Sequence, residues 1–390
     1  MRHSGAVLTG PPVTSIPSIN FIDLNAQRQH IGPAMDEAVL RVVHGGRYIL
    51  GPEVAQFERE LAGFCGARHA LACANGTDAI ALCLMAMAFR PGDAVICPSF
   101  TFAATAEVVA WLGATPVFAD IEETTYNLDP RGLASALSTA RQLGLKPRAL
   151  IAVDLFGHPA DYDAIEMFCA ENDLVLIADS AQGFGARYKG RVAGAIGHFA
   201  TTSFFPAKPL GCYGDGGAVL TADEEMLSVM RSLHVHGQGT DKYDNARIGV
   251  NSRLDTIQAA VLLEKLKVFE DEIARRQIVA GRYATGLGDV AIVPTVADGC
   301  VSTWAQYTIR VPAARRAAFI EALKARGVPT AIYYPKPLHQ QTAYRRFPVA
   351  GNGLPVSERL CHEVVALPMH PYLDEATQGY IIETARSALA

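Results

Sequence analysis

Apolar and polar positions alternate along this chain in two rhythms. Residues 53–65 repeat apolar side chains at helical spacing, and residues 70–74 form a short unbroken apolar run. A turn at Asn75-Gly76-Thr77-Asp78 then leads into a second helix through Met87. Apolar runs at 93–97, 115–119, 148–153 and 174–178 have the length of buried strands, and helical patterns at 102–112 and 161–171 lie among them. Strands apolar on both faces, alternating with amphipathic helices, predict a mainly parallel sheet covered by helices. Residues 236–251 are polar and glycine-bearing. They read as a long functional loop, because a strong helix follows from about Leu254 towards Tyr283. From about Val290 the alternation resumes on a smaller scale, with strands at 307–311 and 328–332, a helix at 314–326 and a C-terminal helix from Glu375. The organisation expected is a flexible leader at 1–18, a large domain at 19–270 and a smaller C-terminal α/β domain at 271–390.

Composition narrows the function classes. The chain has 390 residues, half of them hydrophobic, enough for two well-buried domains. A net charge of −5 without basic blocks argues against nucleic acid as a partner, so an anionic ligand must be held by local groups. No apolar run is long enough to span a membrane, and residues 1–18 lack the apolar core of a signal peptide. The eight cysteines are scattered, and no pair has zinc-ligand spacing. They read as reduced, buried thiols of a cytoplasmic protein without a metal site, with Cys212 a secondary site candidate through its nearness to Lys208.

Three strand-end segments carry candidate chemistry, since ligands of open α/β sheets sit beyond the carboxyl ends of the strands. In Asn75-Gly76-Thr77-Asp78-Ala79, backbone N–H groups and the Thr77 hydroxyl are placed to hold a phosphate at a helix start. The plainer reading is a helix cap formed by Thr77 or Asp78. Asp179 ends an apolar strand, where a carboxylate needs a cation or a capping role. A protonated pyridine nitrogen is one such cation, and Gln182, three residues on, can donate to a phenolate oxygen. Lys208 follows Ser203-Phe204-Phe205-Pro206-Ala207 and precedes a glycine-rich turn. An apolar setting lowers an amine's pKa and makes it competent to condense with an aldehyde, although an isolated lysine in a turn is usually a surface residue. Phosphate donors, an acid, a ring-oxygen donor and an amine are together what pyridoxal phosphate requires. Phe100 or Phe102 can supply an aromatic face over the ring, or either can be core.

With these motifs in order, the chain resembles the DegT–StrS family of pyridoxal-phosphate sugar aminotransferases, from about Phe21 to the C-terminus. The resemblance also runs through Tyr48-Ile49-Leu50-Gly51-Pro52-Glu53, Thr101-Phe102-Ala103-Ala104-Thr105, Gly249-Val250-Asn251-Ser252-Arg253-Leu254 and Tyr334-Pro335-Lys336-Pro337-Leu338-His339. It implies the aspartate aminotransferase-like fold (pyridoxal-phosphate fold type I). By the same resemblance Lys208 is the lysine joined to the cofactor, Asp179 the pyridine-nitrogen partner and Gln182 the ring-oxygen partner. Gly76, Thr77, Asp78 through its backbone, and Ser203 correspond to phosphate ligands, and Phe102 to the stacking aromatic. Asn251 matches a residue reaching the cofactor phosphate of a neighbouring subunit, which implies a homodimer with shared active sites.

The stretches 203–217, 247–256 and 367–373 resemble one branch most. That branch aminates a UDP-linked 3-keto uronic acid derived from N-acetylglucosamine, with L-glutamate as donor, for surface polysaccharide synthesis. One departure lies at His339, where the branch carries asparagine and the wider family histidine; it leaves the sugar open and makes His339 a candidate substrate contact. Both substrates carry carboxylates, which suits arginine, and Arg247 and Arg253 beside Asn251 are the candidates, each equally readable as a solvated or structural side chain. The alternatives are a 3- or 4-aminotransferase for a dTDP- or UDP-keto-6-deoxy sugar, a sugar dehydratase, in which histidine would stand at Lys208, and a non-catalytic regulator.

Overall fold

The computed structural model describes residues 19–390 apart from 242 and 352. The expected leader, 1–18, lies outside the described residues. In chain order the strands are β1 (His69–Cys73), β2 (Asp93–Pro98), β3 (Thr115–Ala119), β4 (Lys146–Val153), β5 (Val175–Asp179), β6 (Arg187–Tyr188), β7 (Arg191–Val192), β8 (Phe199–Ser203), β9 (Gly217–Thr221), β10 (Cys300–Val301), β11 (Tyr307–Arg310) and β12 (Val364–Leu367). Seven of them form the main sheet in the order β1-β9-β8-β5-β4-β2-β3. Pairs β2–β3, β2–β4, β4–β5 and β5–β8 are parallel, while β9 runs antiparallel to both β1 and β8. The sheet is therefore mainly parallel, as the unbroken apolar runs predict; every residue of β2 and β9 is buried.

One consequence places the site. All strands but β9 point the same way, so the ends of β1, β2, β4, β5 and β8 and the start of β9 share one edge. Gly217 makes this concrete, standing in register with both Cys73 and Ser203.

The structure corrects two expectations and adds two early helices. The helix expected from Leu254 towards Tyr283 is two helices, Thr256–Leu266 and Phe269–Leu287. The second begins with Glu270, Asp271 and Glu272, acids that favour a helix N-terminus and so mark a fresh start. Residues 328–332 form no strand: only Ala331 bridges, to Ala366, whose other edge pairs with β11. Helices Leu24–Ile31 and Pro33–Gly45 precede the first helix expected from the pattern.

Two cores result. The larger surrounds the main sheet, and the smaller gathers Val279, Tyr283, Leu287, Tyr307, Phe319, Leu367 and Ile381. Phe269 belongs to the first and Val279 to the second, so we propose a domain division inside the helix Phe269–Leu287, near the expected 270/271. Leu338, Leu354 and Leu360 return to the larger core, so the C-terminal part covers the sheet edge as well as packing on itself.

Candidate active site

The helix Gly76–Ala86 starts three residues beyond the end of β1. Its cap is Asn75, whose side chain accepts from the Asp78 amide at 2.8 Å, rather than Thr77 or Asp78. That choice leaves the first-turn amides of Gly76 and Thr77 without an intrahelical acceptor, at the positive end of the helix. Ser203, the last residue of β8, closes the other side. A Cβ at Gly76 would stand 2.7 Å from the Ser203 Cβ, and one at Gly217 would stand 2.4 Å from the Asn75 carbonyl oxygen. Glycine at both positions is what lets the two strand ends meet around this concave set of donors.

Lys208 rides the loop from β8 to β9. Phe204 anchors that loop, fully buried against Phe57 at 5.3 Å and Phe184 at 6.4 Å. Backbone bonds from Phe204 to Gly216 and from Cys212 to Phe204, both 2.7 Å, close it. Burial pulls the Lys208 ammonium below the ordinary lysine pKa, and the negative charge of Asp179 opposes that shift. Asp179 is itself buried at the end of β5, where its Oδ1 accepts from the Ala181 amide at 3.1 Å. Burial raises its carboxyl above the usual range, against the pull of the Ala181 amide and of Lys208. A buried acid within electrostatic reach of a half-buried amine, its carboxylate bonded to one backbone amide, can take a cationic partner.

Gln182 is oriented by residues distant in sequence. Its Oε1 accepts from the Phe156 amide at 2.8 Å, and its Nε2 donates to the Tyr334 hydroxyl at 3.0 Å. Since the oxygen is committed to an N–H, the amide has one orientation and Nε2 keeps a second donor. Tyr334 and Asp154, which lies beneath this turn, were not among the sequence candidates. Asp154 carried a readable signal, an acid directly after the apolar run of β4, while nothing local to Tyr334 marks it.

The structure separates Phe100 from Phe102. Phe100 is buried, 6.4 Å from Tyr126 and 6.1 Å from Tyr334, whereas Phe102 is 56% exposed and offers a free aromatic face. Arg247 and Asn251 are exposed and Arg253 half-buried on the 236–253 loop, and no bond joins them to Lys208 or Asp179 within this chain. Ile248 on the same loop is 93% exposed. His339 has both ring nitrogens in use, Nδ1 with the Ser99 hydroxyl at 2.7 Å and Nε2 with Glu358 at 3.0 Å. Cys212 is buried, its thiol donates to the Phe204 and Gly214 carbonyls, and burial pushes it up to about 11; it is a packing residue of the Lys208 loop. All eight cysteines are free, and the described residues contain no cluster of three or more metal-ligating side chains.

A carboxylate at one strand end, an amine at the next and an anion cradle beside both define an aminotransferase-type site on a sheet of the aspartate aminotransferase-like class. The chain belongs to the DegT/DnrJ/EryC1/StrS aminotransferase family, whose profile matches residues 29–386. It is 48% identical over 362 residues to the UDP-2-acetamido-2-deoxy-3-oxo-D-glucuronate aminotransferase of Pseudomonas aeruginosa, covering 92% of this chain and 97% of that one. It is 38% identical to the dTDP-3-amino-3,4,6-trideoxy-alpha-D-glucose transaminase of Streptomyces venezuelae, over 95% of this chain and 96% of the relative. A crystal structure of a DegT DnrJ EryC1 StrS aminotransferase from Brucella abortus superposes with a TM-score of 0.94 at 51% identity, covering 95% of this chain and all of that one.

Proposed function

We propose that this protein transfers an amino group from L-glutamate to a UDP-linked 2-acetamido-2-deoxy-3-keto-glucuronate, giving the 3-amino sugar for surface polysaccharide synthesis in the cytoplasm. The observation that carries the chemistry is the partly desolvated, half-buried Lys208 amine within electrostatic reach of the buried Asp179 carboxylate. The likeness to the Pseudomonas aeruginosa enzyme supports the substrate. The cofactor of the family, pyridoxal 5′-phosphate, fits the residues present: the glycine-lined cradle can take a phosphate, and the buried Asp179 carboxylate, bonded to the Ala181 amide, can take a cationic partner.

In this reading the first-turn amides of Gly76 and Thr77 and the hydroxyl of Ser203 hold the phosphate, while the Asp78 amide, expected as a further donor, is given to the Asn75 cap, and Phe102 covers one face of the ring. Asp179 keeps the ring nitrogen protonated, and the second hydrogen of Gln182 Nε2 serves the ring oxygen. When bound, pyridoxal phosphate supplies an electron sink for the bonds at the reacting carbon. Lys208, kept weakly basic by desolvation, moves the proton at that carbon in each half of the reaction. 2-Oxoglutarate leaves after the first half, and the keto sugar receives the amino group in the second. Asn251 serves the neighbouring subunit of a homodimer; its exposure, and that of Ile248 on the same loop, support a role outside its own chain. His339 acts here by joining Ser99 to Glu358, which positions the 334–341 segment over the site.

The deciding experiment offers glutamate with a panel of nucleotide keto sugars. Preference for a dTDP-keto-6-deoxy sugar over the UDP-3-keto uronate would overturn the substrate assignment. Arg247→Ala is expected to raise KM for the uronate about tenfold or more while leaving a neutral keto sugar little changed, as loss of a charge-assisted pair requires. Equal effects on both substrates would remove Arg247 from the site. Gly76→Ala is expected to weaken pyridoxal phosphate binding about tenfold or more by forcing the helix start away from Ser203, read by cofactor titration of the apoenzyme. Unchanged affinity would show that the phosphate lies elsewhere.

A further inference from the structure

Val153 and Asp179 are in register, so the loop leaving β4 runs beneath the turn that carries Asp179 and Gln182. Asp154, the first residue of that loop, is wholly buried. Its Oδ1 accepts from the Tyr162 hydroxyl at 2.7 Å and the Ala160 amide at 3.0 Å, and its Oδ2 from the Ser180 hydroxyl at 2.7 Å. Its own amide donates to the Asp179 carbonyl at 3.0 Å. Gly183 closes over it so tightly that a Cβ there would stand 2.3 Å from the Asp154 Cβ. This carboxylate touches nothing that could be substrate, yet every bond it makes bears on the turn that holds Asp179, or on the loop supporting that turn.

We infer that Asp154 is a positioning residue for Asp179, tethering the 179–183 turn through Ser180 and adding a second negative charge behind it that keeps the cofactor's ring nitrogen protonated to higher pH. The inference rests on the proposed role of Asp179. Three titratable groups face Asp154: Asp179 from β5, Tyr162 from the helix Tyr162–Glu171, and Cys300 from β10. Burial raises Tyr162 and Cys300, which therefore stay neutral near pH 7. Burial also raises the Asp154 carboxyl to about 6, against the pull of its three donors, and Asp179 adds to the rise. The three donors converging on its oxygens favour the ionised carboxylate, and a buried anion behind Asp179 favours the charged, protonated ring nitrogen.

Asp154→Asn removes the charge and keeps an oxygen for Tyr162 and Ala160, while its amide can donate to the Ser180 hydroxyl. The holoenzyme is loaded with pyridoxal phosphate isotopically labelled at the ring nitrogen, and the nitrogen resonance is followed by NMR as pH is raised. The nitrogen of the D154N protein is expected to lose its proton about one pH unit, or tenfold in proton concentration, below wild type. Tyr162→Phe removes one donor to the ionised carboxylate, pushes Asp154 towards its neutral form, and is expected to shift the titration the same way by less. It also covers the case in which D154N fails to fold. Titrations superimposable on wild type overturn the inference. Asp179→Asn is measured alongside: a ring nitrogen still protonated as in wild type would instead refute the reading of Asp179.

Discussion

Replacing Lys208 by alanine is expected to abolish transamination, a loss on the order of 10⁴-fold or more, because in the proposed reaction one amine both binds the cofactor covalently and moves the proton. The yellow absorbance of the purified protein and its borohydride-reducible adduct should disappear with activity. Nothing nearby can substitute. Cys212 is engaged with two carbonyls and held protonated by burial, and the described loop from Phe204 to Gly216 has no second amine. The fold should survive, since Phe204 and the backbone bonds of the loop, rather than the lysine, anchor it. An alanine variant that still formed a reducible adduct would place the reactive amine elsewhere and sink the proposal.

Asp179→Asn is expected to be nearly as damaging, lowering kcat on the order of 10²–10³-fold, as does removing a preorganised electrostatic partner from a buried site. An amide of nearly equal size still accepts from the Ala181 amide, so the β5 end should keep its course. The loss should appear in the glutamate half-reaction, followed by rapid-mixing absorbance, with cofactor affinity reduced far less, since the proposed phosphate ligands Gly76, Thr77 and Ser203 do not depend on Asp179. A variant that turned over glutamate at the wild-type rate would exclude Asp179 as the ring-nitrogen partner.

Much of this site is local in the chain and was readable there. Asp179 follows an apolar strand, Lys208 follows Phe204-Phe205 and precedes a glycine-rich turn, and the Asn75–Asp78 turn joins strand to helix. Each is a feature of a few consecutive residues. Identities that depend on a distant partner were not readable. Whether Phe100 or Phe102 is core was settled by Tyr126 and Tyr334 packing on Phe100. The direction of the Gln182 amide was settled by the Phe156 N–H, 26 positions away. Asn75, rather than Thr77 or Asp78, takes the cap because its side chain reaches the Asp78 amide, freeing the first-turn N–H groups for a ligand. The helix expected from Leu254 broke at residues 267–268, where the acids Glu270, Asp271 and Glu272 just beyond favour a new helix N-terminus.

By itself the sequence determined the class of fold, the strand-end acid and the amine in its apolar turn, because periodicity and strand-end chemistry are properties of short windows. Only the tertiary structure decided that the ends of β1, β5 and β8 meet at one sheet edge, that Asp154 stands behind Asp179, and that His339 is bound to Ser99 and Glu358. Those facts depend on contacts between residues far apart in the chain, which form only when the parallel sheet brings its strand ends together.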